Sequence, residues 1–326
     1  MESSQIGKPA GDEARLWERT LVAVIAVLVA LTVLRLGGWW LGLAVGALAA
    51  LGTLEVYRIG ALALGVTGVP RLAGAVTAAL LPLAAVRADG FAEFAPVAFS
   101  LIAALTLISL VRAVAGGLPA APGLGGASLT VLGVLWVGAP FALGLLLHGL
   151  PVDAGWNAAG RAVVDGAGDG GSARSTWLFG SAEAWSGLVV LLFPLGATWI
   201  SDTAAFFGGR RFGRRKLAPR LSPDKTWEGS FSGMAGALAA ALGWGWLCAP
   251  LLPGLEIEIW AVALAGAVTG VMIQLGDLTE SVFKREAGVK DSGTFFRAHG
   301  GVLDRVDSLL FSLPTGYLCF VAFEWL

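Results

Sequence analysis

Residues 258–280 read EIWAVALAGAVTGVMIQLGDLTE, and residues 281–308 continue as SVFKREAGVKDSGTFFRAHGGVLDRVDS. The first run is apolar over the roughly 20 residues that a bilayer-crossing helix needs, until Asp277 and Glu280 interrupt it near its end. The second crowds Lys284, Arg285, Lys290, Asp291, Arg297, His299, Asp304, Arg305 and Asp307 between that run and another apolar segment. Ionisable groups at a membrane boundary are costly, and their concentration here points to binding or transforming something charged.

The rest of the chain carries the same grammar. Its 326 residues are 56% hydrophobic and 14% charged, with a mean hydropathy of +0.77, which excludes a soluble globular domain. The expected fold is all-α, a polytopic transmembrane helical bundle of about nine spans, near 20–36, 38–60, 71–88, 92–114, 128–150, 184–207, 229–252, 258–280 and 303–325. The 47 glycines suit helices that approach through small side chains, because lipid supplies no hydrophobic drive for association. Cys248 and Cys319 lie in apolar surroundings and are expected to pack as free thiols.

Lysine and arginine placement sets the expected orientation. Arg210, Arg211, Arg214, Arg215, Lys216, Arg220 and Lys225 fall in one loop, and Lys284, Arg285, Lys290 and Arg297 in the next but one. One orientation puts both loops in the cytoplasm, with the N-terminus inside. The Gly/Ala/Asp-rich segment 151–183 then lies outside, and its run at 166–172 reads as linker, because no Lys-Ser/Thr follows it. It divides an amino-terminal region, 1–183, from a catalytic region, 184–326. In the amino half, Glu55 and Arg58 are one turn apart and read as an intrahelical pair; His148 reads as a hydrogen-bonded interfacial histidine.

Under this topology Asp202 ends the sixth helix, Asp277 and Glu280 end the eighth, and Asp304 and Asp307 begin the ninth. The i, i+3 spacing within the last two pairs puts both members on one side of a helix. Such acids repel and take up protons unless compensated, so a hard divalent cation, Mg2+ above all, is the expected cofactor. The alternative is local pairing, of Glu280 with Lys284, Glu228 with Lys225, and Asp304 or Asp307 with Arg305. Lys225, Lys284, Arg285 and Lys290 beside the acids suit a phosphate-bearing ligand.

In full, the segment from Ser281 through Lys284-Arg285, Lys290-Asp291, Gly293 and His299-Gly300-Gly301 to Asp304-Arg305 and Asp307 resembles the signature of the phosphatidate cytidylyltransferase family, the CDP-diacylglycerol synthases. The resemblance extends to Ser201–Phe206, to Ser222–Gly229 and to Gly276–Ser281, and covers about residues 190–310. Arg297-Ala298 stands where the family usually has Pro-Gly, and Asp224 where it often has Lys.

The resemblance implies transfer of a cytidylyl group from CTP to phosphatidic acid with Mg2+; the compact chain without an organelle-targeting sequence is expected in a bacterial inner (plasma) membrane, and the basic loops put the site on its cytoplasmic face. The resemblance assigns catalysis to Asp277, Asp304, Lys284, Arg285 and His299. Asp277 and Asp304 are expected to hold the metal, with Asp202 and Asp307 as lesser ligands. Ser222, Lys225, Thr226, Lys290, Asp291, Gly300, Gly301 and Arg305 are expected to contact substrates or order the loop. The expected partners are these substrates and the lipid bilayer, not nucleic acid, and a homodimer is compatible with the bundle. The competing readings are an ion-coupled transporter, which predicts polar groups near midplane, and a CTP-dependent enzyme acting on another lipid phosphate.

Overall fold

The computed structural model describes residues 28–116, 123–150, 182–252, 255–295 and 300–325. After helical residues 28–36, the chain forms α1 (Gly38–Leu64), α2 (Arg71–Arg87), α3 (Phe91–Gly116) and α4 (Gly123–His148). The carboxyl half adds α5 (Ala182–Phe212), β1 (Lys216–Ala218), β2 (Ser222–Thr226), α6 (Trp227–Leu247), α7 (Ile259–Glu286), α8 (Leu303–Val306) and α9 (Leu309–Ala322). The segment 151–181, with the expected linker at 166–172, lies outside the described residues.

Six of these helices, α1 and α3 to α7, are long and apolar enough to cross a membrane. That corrects the expectation of nine. The 17 residues of α2 rise only about 25 Å and the 14 of α9 about 21 Å, short of a hydrocarbon core of roughly 30 Å. The expected first span, 20–36, is described only from residue 28. The molecule is a polytopic membrane protein: Leu72, Phe99, Val114 and Trp246 turn outward, each at least 75% exposed, as side chains facing lipid do.

The hydrogen-bond ladder of the expected span 303–325 is interrupted at Asp307 and Ser308, whose backbone stays right-handed helical. The Ser308 N–H donates to Asp307 Oδ1 at 2.7 Å, a local bond that competes with helix propagation, and α9 starts afresh at Leu309. Other helices overrun their expected ends. α5 continues to Phe212 and α7 to Glu286, so Asp202 and Asp277 lie within their helices, Asp277 about 13 Å from the end of α7 at 1.5 Å per residue.

The basic loop after α5 contains, among the described residues, the one departure from an all-helical reading, a two-stranded antiparallel hairpin pairing Lys216 with Thr226 and Ala218 with Ser222. Pro223 is tolerated because both strands are edges. Thr226 then caps α6, its Oγ1 accepting from the Gly229 N–H at 3.2 Å. The alternative pairing of Glu228 with Lys225 does not form; Glu228 Oε2 accepts from the N–H groups of Arg214 at 3.0 Å and Arg215 at 3.2 Å, closing the base of the hairpin.

Close packing fixes the bundle. A Cβ at Gly236 would meet the Ile200 carbonyl and the Ala204 side chain, so α6 lies directly on α5. Phe193, Trp244, Phe320 and Trp325 form an aromatic core with centroid separations of 5.1 to 6.3 Å, and the Trp244 indole N–H donates to the Val189 carbonyl at 2.7 Å. In the amino half, the buried Tyr57 hydroxyl donates to the Thr130 carbonyl at 2.7 Å and ties α1 to α4. One π-helical turn in α4, Val134–Gly138, carries Trp136, whose ring lies 4.9 Å from that of Phe283, next to Lys284. Cys248 and Cys319 are free thiols. His148 departs from expectation: its Nε2 is buried without a partner among the described residues.

Candidate active site

Two cavities, of about 520 and 560 Å³, meet at Asp202 and Asp277, which line both. The first runs between α5, α6 and the hairpin, past Phe206, Leu217, Lys225, Thr226, Ser230, Ile273 and Gln274. The second is walled by Glu280, Lys284, Asp291, Gly300, Asp304, Arg305 and Asp307. All five acids singled out in the sequence therefore converge on one cavity, drawn from α5, α7 and α8.

Lys225 reaches across from the hairpin to form an ion pair with Asp277. Lys284 bridges two acids, its Nζ standing 2.8 Å from Glu280 Oε2 and 2.8 Å from Asp304 Oδ1. The Glu280–Lys284 pair of the alternative, local-pairing reading thus forms, and Asp304 joins it. The second oxygen of Asp304 accepts from the N–H groups of Gly301 at 2.7 Å and Ser292 at 2.9 Å, and lies 2.8 Å from the Ser292 hydroxyl, whose single proton it shares with Glu55. Burial pushes the Asp304 carboxyl up, but Lys284, Gly301 and Ser292 outweigh it and hold it down at about 2. Asp307 goes the other way: burial and the Asp277 carboxylate raise it above the usual carboxylate range, against the opposing Ser308 N–H and Lys284.

The glycines of the signature segment are needed where they stand. Gly300 has φ +81, and a Cβ there would strike Asp304; one on Gly301 would strike Ser292 and Glu55. Arg285 does not line either cavity. Its Nε donates to the Leu221 carbonyl at 3.0 Å and its NH1 to the Val289 carbonyl at 3.3 Å, binding the hairpin loop to the end of α7. Lys290 is exposed, and neither it nor Ser222 lines a cavity. His299, with Arg297 and Ala298, lies outside the described residues.

Several polar groups went unassigned in the sequence. Gln274 and Ser230 line the first cavity, the Gln274 amide donating to the Ser230 carbonyl at 2.8 Å; a lone amide in an apolar run was the signal. Glu55 does not form the expected pair with Arg58, and its carboxylate reaches Ser292 in the signature segment instead.

Among the described residues no three acids stand close enough for an all-protein metal cage. Mg2+ needs none, since one or two carboxylates, water and substrate phosphates suffice. The donor set fits it. Asp202 feels the charges of Asp307 and Asp277, and Asp307 that of Asp277, a repulsion that a divalent cation relieves. Among the described residues, Glu280 Oε1 is buried without a hydrogen-bond partner.

The model of the cytidylyltransferase family matches residues 17–323, nearly the whole chain. The chain belongs to this family. It is 44% identical over 132 residues to the phosphatidate cytidylyltransferase of Haemophilus influenzae, a match covering 40% of this chain and 46% of that one. Over 207 residues it is 39% identical to that of Brucella suis, covering 60% and 72% of the two chains. The enzyme of Pseudomonas aeruginosa is 40% identical over 153 residues, 44% of this chain and 53% of the relative. The matched region thus spans about half the length of the Haemophilus and Pseudomonas relatives. Within this cytidylyltransferase-family chain, the acids and lysines at the junction of the two cavities are the groups with the right chemistry for a phosphate-bearing substrate.

Proposed function

We propose that this protein transfers the cytidylyl group of CTP to phosphatidate, forming CDP-diacylglycerol and pyrophosphate. The observation that carries this reading is the sharing of Asp202 and Asp277 by two cavities, each with its own lysine. The cavity with Glu280, Lys284, Asp304 and Arg305 is lined almost wholly by polar groups and takes the nucleotide triphosphate. The other, with Phe206 turned outward at 60% exposure and Lys225 at its head, takes the lipid phosphate with its glycerol end against apolar side chains.

A phosphatidate oxygen attacks the α-phosphorus of CTP; the new P–O bond forms as the bond to the β-phosphate bridging oxygen breaks, and pyrophosphate leaves with that electron pair. Phosphatidate is already ionised at neutral pH, so no strong base is required. Lys225 holds the attacking phosphate beside Asp277, and Lys284, fixed by Glu280 and Asp304, faces the charge that grows on pyrophosphate. Asp277, Asp202 and Asp307 are the side chains that would hold Mg2+, which supplies further neutralisation of phosphate charge. Asp304 has both oxygens engaged, so it serves that site by fixing Lys284 and the loop.

The basic loops support a cytoplasmic site in a plasma membrane. Arg285, at the end of α7, donates to the Leu221 carbonyl in the hairpin after α5, which supports the reading that both clusters of cations share one side. Asp277→Asn tests the assignment: incorporation of label from CTP into lipid should fall by about 10³-fold, in the range seen when one key electrostatic group is removed, with the melting temperature retained. Wild-type rates in this variant at saturating Mg2+ would remove Asp277 from the reaction.

A further inference from the structure

Glu55 belongs to α1, in the half of the chain to which the chemistry above assigns nothing. An ionised side chain within an apolar membrane helix is expensive unless something compensates it. Its compensation comes from 237 residues further along the chain: Oε2 accepts from the Ser292 hydroxyl at 2.8 Å and from the Leu303 N–H at 2.8 Å, and Oε1 from the Val302 N–H at 3.0 Å. Those two N–H groups open α8, where a helix leaves its first donors without internal partners.

The contact is built rather than incidental. A Cβ at Gly293 or Gly301 would collide with the Glu55 carboxylate, so the backbone closes on it from two sides. The Ser292 hydroxyl is also 2.8 Å from Asp304 Oδ2, and Asp304 Oδ1 is 2.8 Å from Lys284. One chain of contacts therefore runs from Glu55 through Ser292 and Asp304 to Lys284.

We propose that Glu55 is a positioning residue of the active site, a clamp from the amino-terminal half that holds Ser292 and the Val302–Leu303 start of α8 together and so sets Asp304, Asp307 and Lys284 opposite Asp277. The inference rests on the proposed transfer reaction for its kinetic consequence, but the clamp itself is a structural claim with its own readout. Two backbone N–H groups and the Ser292 hydroxyl, whose single proton Asp304 shares, face the Glu55 carboxylate. A glutamine would offer one acceptor oxygen and turn its amide N–H groups toward at least one of those donors, whereas an aspartate keeps the acceptor chemistry at shorter reach.

The test uses the full chain in detergent, with Glu55→Gln, Glu55→Asp, Ser292→Ala, the double variant Glu55→Gln/Ser292→Ala, and Arg58→Gln as a control one turn along α1. Glu55→Gln should lower kcat by about 10- to 100-fold, as a misplacement of order 1 Å does, with KM for CTP and for phosphatidate within about threefold of wild type. Amide exchange in residues 300–308 should speed up by about tenfold or more, with that of α5 and α6 unchanged, since local opening is read residue by residue. Glu55→Asp should recover part of the kcat, Arg58→Gln should match wild type, and the double variant should cost no more than the worse single one, because both act through Asp304.

Wild-type kcat in Glu55→Gln with unchanged exchange at 300–308, a loss confined to KM, or multiplicative effects in the double variant would overturn the proposal. Should Glu55→Gln fail to fold, Ser292→Ala cuts the same link from the other side and carries the same expectations. Should the wild-type protein incorporate no CTP, the transfer reading fails, and the exchange measurement still decides the clamp.

Discussion

Lys284→Met removes an ammonium group and keeps most of its apolar stem. Lys284 is 14% exposed and sits 2.8 Å from each of two carboxylates, those of Glu280, 1% exposed, and Asp304, 10% exposed. Removing the shared partner leaves two buried carboxyls without their cation and costs about 3–5 kcal/mol. Asp304 retains its bonds to Ser292 and Gly301 and the cavity admits water, so the lower figure, about 3 kcal/mol, applies to the whole group. Glu280 bears most of it, since its Oε1 has no partner among the described residues to begin with. At about 2 °C per kcal/mol for a chain of this size, the melting temperature should fall by roughly 6 °C, read by tryptophan fluorescence in detergent. Adding Glu280→Gln removes the carboxyl that has lost its cation and should recover about 1 kcal/mol, a coupling typical of residues in contact. A melting temperature for Lys284→Met within about 1 °C of wild type, or strict additivity in the double variant, would refute the reasoning.

Asp304 supplies a pH test. Its folded carboxyl, held at about 2, lies below the roughly 3.9 of an unfolded chain, so its contribution to stability is complete above that value and lost as pH falls through about 2. The difference in melting temperature between wild type and Asp304→Asn should therefore be constant from about pH 8 to pH 5 and narrow only below about pH 4; a difference that halves by pH 6 would contradict the bonds assigned to Asp304. Tyr57→Phe removes a buried hydrogen bond to Thr130 and strands the carbonyl, which should cost about 1–2 kcal/mol with kcat unchanged; a kcat change without a stability change would give α1 a role different from the one described.

Much of the site was legible in the sequence, because its residues come in short runs that also carry secondary-structure information. The i, i+3 spacing of Asp277 with Glu280 and the dense charge of 281–308 led to one cavity, and Glu280 pairs with Lys284 as local spacing suggests. Contacts across the chain were not legible. Nothing local announces that Glu55 bonds to Ser292, or that Lys225 reaches Asp277 instead of its neighbour Glu228. Arg285 was read as a phosphate ligand from its charge and neighbours, and the structure turns it to two backbone carbonyls. Helix boundaries suffered for a related reason. Hydropathy cannot see that Arg210 and Arg211 continue α5, or that a serine and an aspartate divide the last apolar run at residues 307–308, because helix continuation depends on hydrogen bonds rather than on polarity.

The central claim is tested most directly by following CTP labelled at the α-phosphorus with purified protein, phosphatidate in mixed micelles, and a Mg2+ titration. The account predicts label in chloroform-soluble lipid only when phosphatidate and Mg2+ are both present, with one pyrophosphate released for each lipid labelled. Label that stays wholly in the aqueous phase, or lipid labelled only when the CTP carries its label at the γ-phosphorus, would contradict it.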